Sequence, residues 1–195
     1  ACIAFNDGIN APDENGYTPL HLACEWAHVD VVKLLLESGA QPSLYHKDRW
    51  GDIPIYCAVY NRKVDTVKLL LSYHEKDKKI ESLGNAFVLA ASKQYLEIVK
   101  LFLEASMPDI IHSHHSQNGN TALHESCGES DDTEVMEFLL ESGAAVNAVD
   151  NDGETPLFWT VSEGRPECAK VLLAAGATVN HRMNGGDTPL DYALS

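Results

Sequence analysis

Basic residues are scarce in this sequence: 14 Lys and Arg stand against 29 Asp and Glu, for a formal charge of −15 at pH 7 and a pI near 4.8. That balance excludes nucleic-acid binding through phosphates, which needs a basic stripe. A basic peptide or protein face would be steered in instead. Apolar residues fill 45% of the 195 positions, yet no apolar run approaches the roughly 18 residues of a membrane-spanning helix, and no signal-peptide pattern is present. The five cysteines, Cys2, Cys24, Cys57, Cys127 and Cys168, show no CxxC spacing, so a structural zinc site has no support. A Gly-rich phosphate loop, an HExxH motif and a Ser or Cys nucleophile in a recognisable setting are all missing. Each absence removes a common catalytic chemistry, and the expectation is a chain that is no enzyme and needs no metal or cofactor.

What the sequence has is repetition. The stretch Asn15-Gly16-Tyr17-Thr18-Pro19-Leu20-His21-Leu22-Ala23-Cys24 reads as a turn followed by a short helix that Thr18 caps and Pro19 opens. Val29-Asp30-Val31-Val32-Lys33-Leu34-Leu35-Leu36 then reads as a second, apolar helix, with Gly39 as its left-handed stop. The residues that open each first helix are Thr18, Ile53, Asn85, Thr121, Thr155 and Thr188, spaced 32 to 36 positions apart. Matching segments are Ile53-Pro54-Ile55-Tyr56, Thr121-Ala122-Leu123-His124, Thr155-Pro156-Leu157-Phe158 and Thr188-Pro189-Leu190-Asp191.

This pattern resembles the ankyrin repeat family, whose period is about 33 residues. The resemblance implies an all-α solenoid of stacked helix-turn-helix units with β-turn or hairpin fingers, in which each unit packs only on its neighbours. It divides residues 1–195, a single domain, into the end of a preceding repeat (1–12), repeats 13–47, 48–79, 80–115, 116–149 and 150–182, and a partial repeat 183–195. The third is the poorest match, with Leu83 in the usual Gly slot and no Thr-Pro before Ala86-Phe87-Val88. The fourth carries an extra residue in its inter-helix turn, 128–133, expected to loop outward. A chain that begins without Met and stops inside a first helix is expected to be a segment of something larger. Four cysteines fall one per repeat at positions the stack buries, too far apart to pair, which suits small apolar fillers in a reducing, intracellular compartment, cytoplasmic or nuclear.

His112-Ser113-His114-His115 is a local cluster with ligand chemistry, but alternating side-chain directions and the lack of a fourth ligand favour a solvated finger. His21 and His124 read as family structural positions. Ankyrin domains usually bind partners on a concave face built from turn tips and first helices. Carried over slot by slot, that face includes Tyr17, Glu25, Trp26, Arg49, Trp50, Asp52, Tyr60, Asn61 and Lys93. Clustered aromatics in slots that packing does not need are interface anchors, so the hot spot is expected between Tyr17 and Tyr60. Trp159 is assigned to the core.

The resulting expectation is a non-catalytic scaffold, monomeric as an isolated domain, that binds a basic protein or peptide on its concave face, with no nucleic acid and no membrane insertion. One alternative is the recruiting arm of a larger multidomain enzyme, ubiquitin-ligase subunit or channel. Another is a methyl-lysine reader, because residues 25–36 resemble a helix pair of histone-methyltransferase ankyrin domains. Tyr17 and Glu25 match slots of that aromatic cage, while Leu22 and Cys57 stand where aromatics are expected.

Overall fold

The computed structural model describes residues 6–74, 80–105, 108–127 and 131–194. The first five residues of the preceding repeat's end, residues 75–79 of the second repeat and the start of the extra turn at 128–130 lie outside them.

The described chain is a row of antiparallel helix pairs. First helices are α2 (Pro19–Glu25), α4 (Pro54–Tyr60), α6 (Ile80–Ser92), α8 (Ala122–Glu125), α10 (Pro156–Ser162) and α12 (Pro189–Ala193); second helices are α3 (Val29–Leu35), α5 (Val64–Tyr73), α7 (Leu96–Glu104), α9 (Glu134–Glu141) and α11 (Pro166–Ala174). A short α1 (Asn6–Ile9) precedes them, and Asn10 then bonds across to the Gly39 carbonyl of the next repeat. Each first helix packs on the next first helix and each second helix on the next second helix. The core runs between the two rows through Leu20, Ile55, Phe87, Leu123 and Leu157 from the first helices and Val32, Leu70, Ile98, Phe102, Leu139 and Leu172 from the second. Cys24, Cys57, Cys127 and Cys168 are buried within it, and none of the four forms a disulfide.

The Thr-x-x-His motif explains how units lock. Thr18 N–H donates to His21 Nδ1 at 3.1 Å, and the opposite ring nitrogen meets the Asp52 carbonyl of the following finger at 3.3 Å. Thr121, His124 and the Glu154 carbonyl repeat this at 3.1 and 3.0 Å. Because Nδ1 accepts, the proton sits on Nε2, and burial holds both imidazoles below their ordinary pKa and therefore neutral. Both histidines are structural, as the family resemblance implied. In the last unit Asp191 takes the same post, accepting from Thr188 N–H at 3.0 Å.

Tight turns form the fingers. Asp13, Asp48 and Asp150 each open one, and each presents Oδ1 to two backbone N–H groups within its own turn. Among the described residues no extended strand forms; a single bridge, His114 to Thr121, is all the ladder there is.

Three placements differ from the sequence reading. The third first helix begins at Ile80 rather than Asn85. The finger slot there starts with isoleucine, which has no acceptor for turn amides, and lacks the turn glycine, so the chain stays helical. The extra turn of the fourth repeat does more than loop outward: Asp131 accepts from Glu167 N–H at 3.0 Å and Cys168 N–H at 3.1 Å, capping α11 of the next repeat. Trp159 is half-buried rather than core. Its indole N–H needs an acceptor and finds the second Asp150 oxygen at 3.1 Å, which holds the ring at the finger base.

On the second-helix side, the chain leaves α5 through His74. This imidazole is 6% exposed, and neither ring nitrogen has a hydrogen-bond partner. It stands edge-on to Tyr45, centroids 4.9 Å apart, and burial pushes its pKa down to about 4.

Candidate functional site

A groove of about 460 Å³ opens on the concave side between the first two full repeats, lined by Tyr17, Glu25, Asp48, Trp50, Asp52, Tyr56, Cys57, Tyr60 and Asn61. Its walls follow from the units themselves. Tyr17 and Trp50 stand on successive fingers, so stacking brings their rings edge to face with centroids 6.0 Å apart. Tyr56 and Tyr60 lie four apart on α4 and share its face. Glu25 approaches from the last turn of α2. Asp48 and Asp52 sit at the base and end of the second finger, where backbone amides fix the Asp48 carboxyl at 2.8 and 3.0 Å.

Electrostatically the groove joins aromatic faces to negative charge. Three carboxylates surround aromatic faces, and such faces attract a desolvated cation by about 1–2 kcal/mol each. Its own phenols feel the same field. Burial, the Cys57 thiol and the carboxylates of Asp48, Glu25 and Asp52 push Tyr17 up to about 12, and burial with Asp52 heading the carboxylates does the same for Tyr56. Burial first and Asp48 second raise the Asp52 carboxyl, while Asn85 and His115 pull it back. Burial also pushes the Cys57 thiol up to about 12, so it stays protonated and is a poor nucleophile. Nothing in the groove is armed for covalent chemistry.

Of the nine sequence-derived site residues, the structure gathers Tyr17, Glu25, Trp50, Asp52, Tyr60 and Asn61 into this one groove. Trp50, Tyr60 and Trp26 are 56%, 60% and 68% exposed, so their rings are not tucked beneath adjoining units. Trp26 stands beyond the groove at the end of α2. Arg49 stacks its guanidinium 5.1 Å from the Trp50 ring centre and bonds the Asn15 side chain at 2.9 Å, which props the indole from outside the groove. Lys93 lies half-buried past the end of α6, away from the lining. Asp48 and Tyr56 were missed: both occupy slots that look structural, a turn opener and the capping position, and only stacking reveals that they also face the groove. At the two cage slots, Leu22 is exposed and Cys57 is buried, and the aromatic walls come instead from Trp50, Tyr56 and Tyr60.

The histidine cluster does not converge. His112 and His114 are exposed, and His115 opens the fourth finger by donating its backbone N–H to the Asn120 carbonyl at 2.7 Å. Among the described residues no group of three His, Cys, Asp or Glu side chains could hold a metal, and no helix is long and apolar enough to cross a membrane.

Family models of ankyrin repeats match residues 129–195, and also 3–36 and 20–71. The chain is 32% identical over 172 residues to the chicken nuclear factor NF-kappa-B p105 subunit, covering 86% of this chain and 17% of that protein. It spans between 6% and 17% of the length of the curated relatives it matches. Among solved structures, the ankyrin repeat domain of Bcl-3 superposes with a TM-score of 0.79 at 26% identity, covering 96% of this chain and 82% of that one. The human ASB11 ankyrin repeat domain does so at 0.78 and 25%, covering 97% and 83%. Stacked helix pairs, Thr-Pro helix starts, histidine rivets and finger turns thus converge with these matches on one conclusion: the chain belongs to the ankyrin repeat family, a fold that is typically a non-catalytic protein-interaction module.

Proposed function

We propose that this domain is a non-catalytic docking module that binds a basic segment of a partner protein on its concave face, anchored in the groove of Tyr17, Trp50, Tyr56 and Tyr60. The observation that carries the reading is the meeting of those four rings with Glu25, Asp48 and Asp52 in a single opening. A lysine or arginine entering it exchanges water for aromatic faces and carboxylates, and the net charge of −15 steers it there. Titrating fluorescein-labelled oligolysine against the domain, and against Trp50→Ala, tests the reading. Saturable binding that weakens at least tenfold in the variant, and also with added salt, supports it; equal binding to both proteins refutes it.

A second arm of the titration bears on the methyl-lysine alternative. Four aromatic walls favour it, whereas the leucine and cysteine at the cage slots weigh against it. A trimethylated lysine peptide binding no better than its unmodified counterpart ends that idea. Because the chain matches only a small part of each curated relative, the domain is also proposed to act as the recruiting arm of a longer protein, in a reducing intracellular compartment and as a monomer. Size-exclusion chromatography with light scattering checks the last point.

A further inference from the structure

The described fingers form a row with a gap in it. In each joined pair, the second residue of a finger donates its backbone N–H to the carbonyl that precedes the glycine of the finger before it: Arg49 to Asn15 at 3.0 Å, Asn151 to Asn118 at 3.0 Å, Asn184 to Asp152 at 2.9 Å. The glycines record the same closeness. A Cβ on Gly16 would lie 2.9 Å from Asp48 Cα, one on Gly119 2.9 Å from Asn151 N, and one on Gly153 3.0 Å from Asn184 N. Gly51 has the same left-handed backbone, φ +90°, yet a Cβ there meets nothing within 4 Å, as at Gly186 in the last finger. Because α6 already runs through this slot from Ile80, no third finger forms among the described residues, and the row of described fingers breaks in its interior.

Both lips of the break carry unused or substituted backbone bonds. Among the described residues no N–H reaches the Trp50 carbonyl, the group that would receive the third finger. On the far lip Ser116 N–H, which would donate to the third finger, donates instead to Asn85 Oδ1 at 3.0 Å, and Asn85 Nδ2 returns a bond to Ser116 Oγ at 3.1 Å. Asn85, which also hydrogen-bonds the Asp52 carboxyl, therefore forms the floor of a slot with Gly51 and Asp52 on one side and Ser116 on the other. Trp50 and Asp52 also line the aromatic groove, so slot and groove are continuous.

We infer that the slot receives an extended segment of the bound partner, which supplies a backbone N–H to the Trp50 carbonyl while its lysine or arginine side chain enters the groove. The inference rests on the basic-partner reading and adds the place and conformation of the segment. Charge selects the occupant: Asp52 borders the slot while Asp48 and Glu25 line the groove it opens into, so a segment carrying a cation next to its hydrogen-bonding backbone satisfies both features at once. Pairing an extended chain with an unpaired backbone edge is how peptide strands commonly add to proteins, backbone bonds giving affinity and a side-chain pocket giving specificity.

The test uses the isotopically labelled domain and one probe, an acetylated and amidated eight-residue peptide of alternating Lys and Gly, at low salt. Wild type is compared with Gly51→Asn. Asparagine tolerates positive φ, and the open space at its Cβ lets the fold persist, which its amide spectrum verifies. The expected result is movement of the Gly51, Asp52 and Ser116 amides and the Asn85 side-chain amide together with the Tyr17 and Trp50 rings, and at least fivefold weaker binding in Gly51→Asn. Shifts confined to the groove, with unchanged affinity in Gly51→Asn, overturn the slot and leave the basic-partner reading standing. No saturable shift anywhere on the concave face overturns both.

Discussion

Replacing His74 by Phe should make the domain markedly less sensitive to acid. In the folded chain burial alone holds this imidazole neutral, with a pKa of about 4 against about 6.5 for an exposed histidine. Its folded pKa is depressed, so the unfolded chain takes up the proton first as pH falls. Stability attributable to this site is therefore fully present above about pH 6.5 and is lost progressively between 6.5 and 4. At about 1.4 kcal/mol per pH unit, the span is worth about 3 kcal/mol. Two other imidazoles, His21 and His124, are also held neutral by burial, and the charged side chains of Lys68 and Glu104 line the shallow groove beside His74. The informative quantity is thus the difference between wild type and His74→Phe, measured by urea unfolding at pH 7, 6, 5 and 4.5. Phenylalanine keeps the edge contact with Tyr45, centroids 4.9 Å apart in wild type, and removes two buried nitrogens without partners. An unsatisfied buried polar group costs about 1–3 kcal/mol, so the variant should equal or exceed wild type at pH 7. The gap should then widen in its favour by about 3 kcal/mol towards pH 4. Parallel stability curves, or a His74 ring proton titrating near 6.5 by NMR, would refute the reasoning.

Three other outcomes follow from single residues. Ala27 sits at φ 58° in the inter-helix turn where Gly164 stands, at φ 65°, in the fifth repeat. Ala27→Gly exchanges about 1–2 kcal/mol of left-handed strain for about 0.5–1 kcal/mol of backbone entropy, so it should stabilise by about 0.5 kcal/mol in a chemical melt; destabilisation contradicts this. Gly16→Ala should cost about 1–2 kcal/mol more than Gly51→Ala: both carry positive φ, but only the former drives a methyl into the next finger's backbone, and equal losses would mean the break in the row is not real. Trp50→Ala should weaken oligolysine binding by about 2 kcal/mol, roughly thirtyfold, with little change in Tm because the ring is 56% exposed; a large Tm drop instead would make the indole a packing element.

The repeats were legible because the same physical needs recur along the chain: helix caps, first-turn prolines, apolar second helices and glycine stops leave similar letters at the same spacing in most units. The groove was legible in part, since Trp50 and Tyr60 occupy slots where packing asks for no aromatic. Asp48 was hidden by its local role as a turn opener, and Tyr56 by standing in the slot that histidine fills in other units. The missing third finger left its mark in Leu83, but deciding between a distorted turn and an extended helix required knowing what the neighbouring fingers would offer it. Trp159 misled for a simpler reason: its ring looks like core, and its N–H, which forbids dry burial without an acceptor, found Asp150 at the rim.

The histidine rivets have a consequence for cooperativity. His21 binds the first full unit to the second, and His124 binds the fourth to the fifth, whereas the equivalent positions in the second and third units are Tyr56 and Val88. In a linear array, stability is the sum of unit terms and nearest-neighbour couplings, so the weakest couplings decide where the array divides. Residues 13–74 and 115–194 should each protect their amides from hydrogen exchange as a block, with the helices between them opening at lower free energy than either.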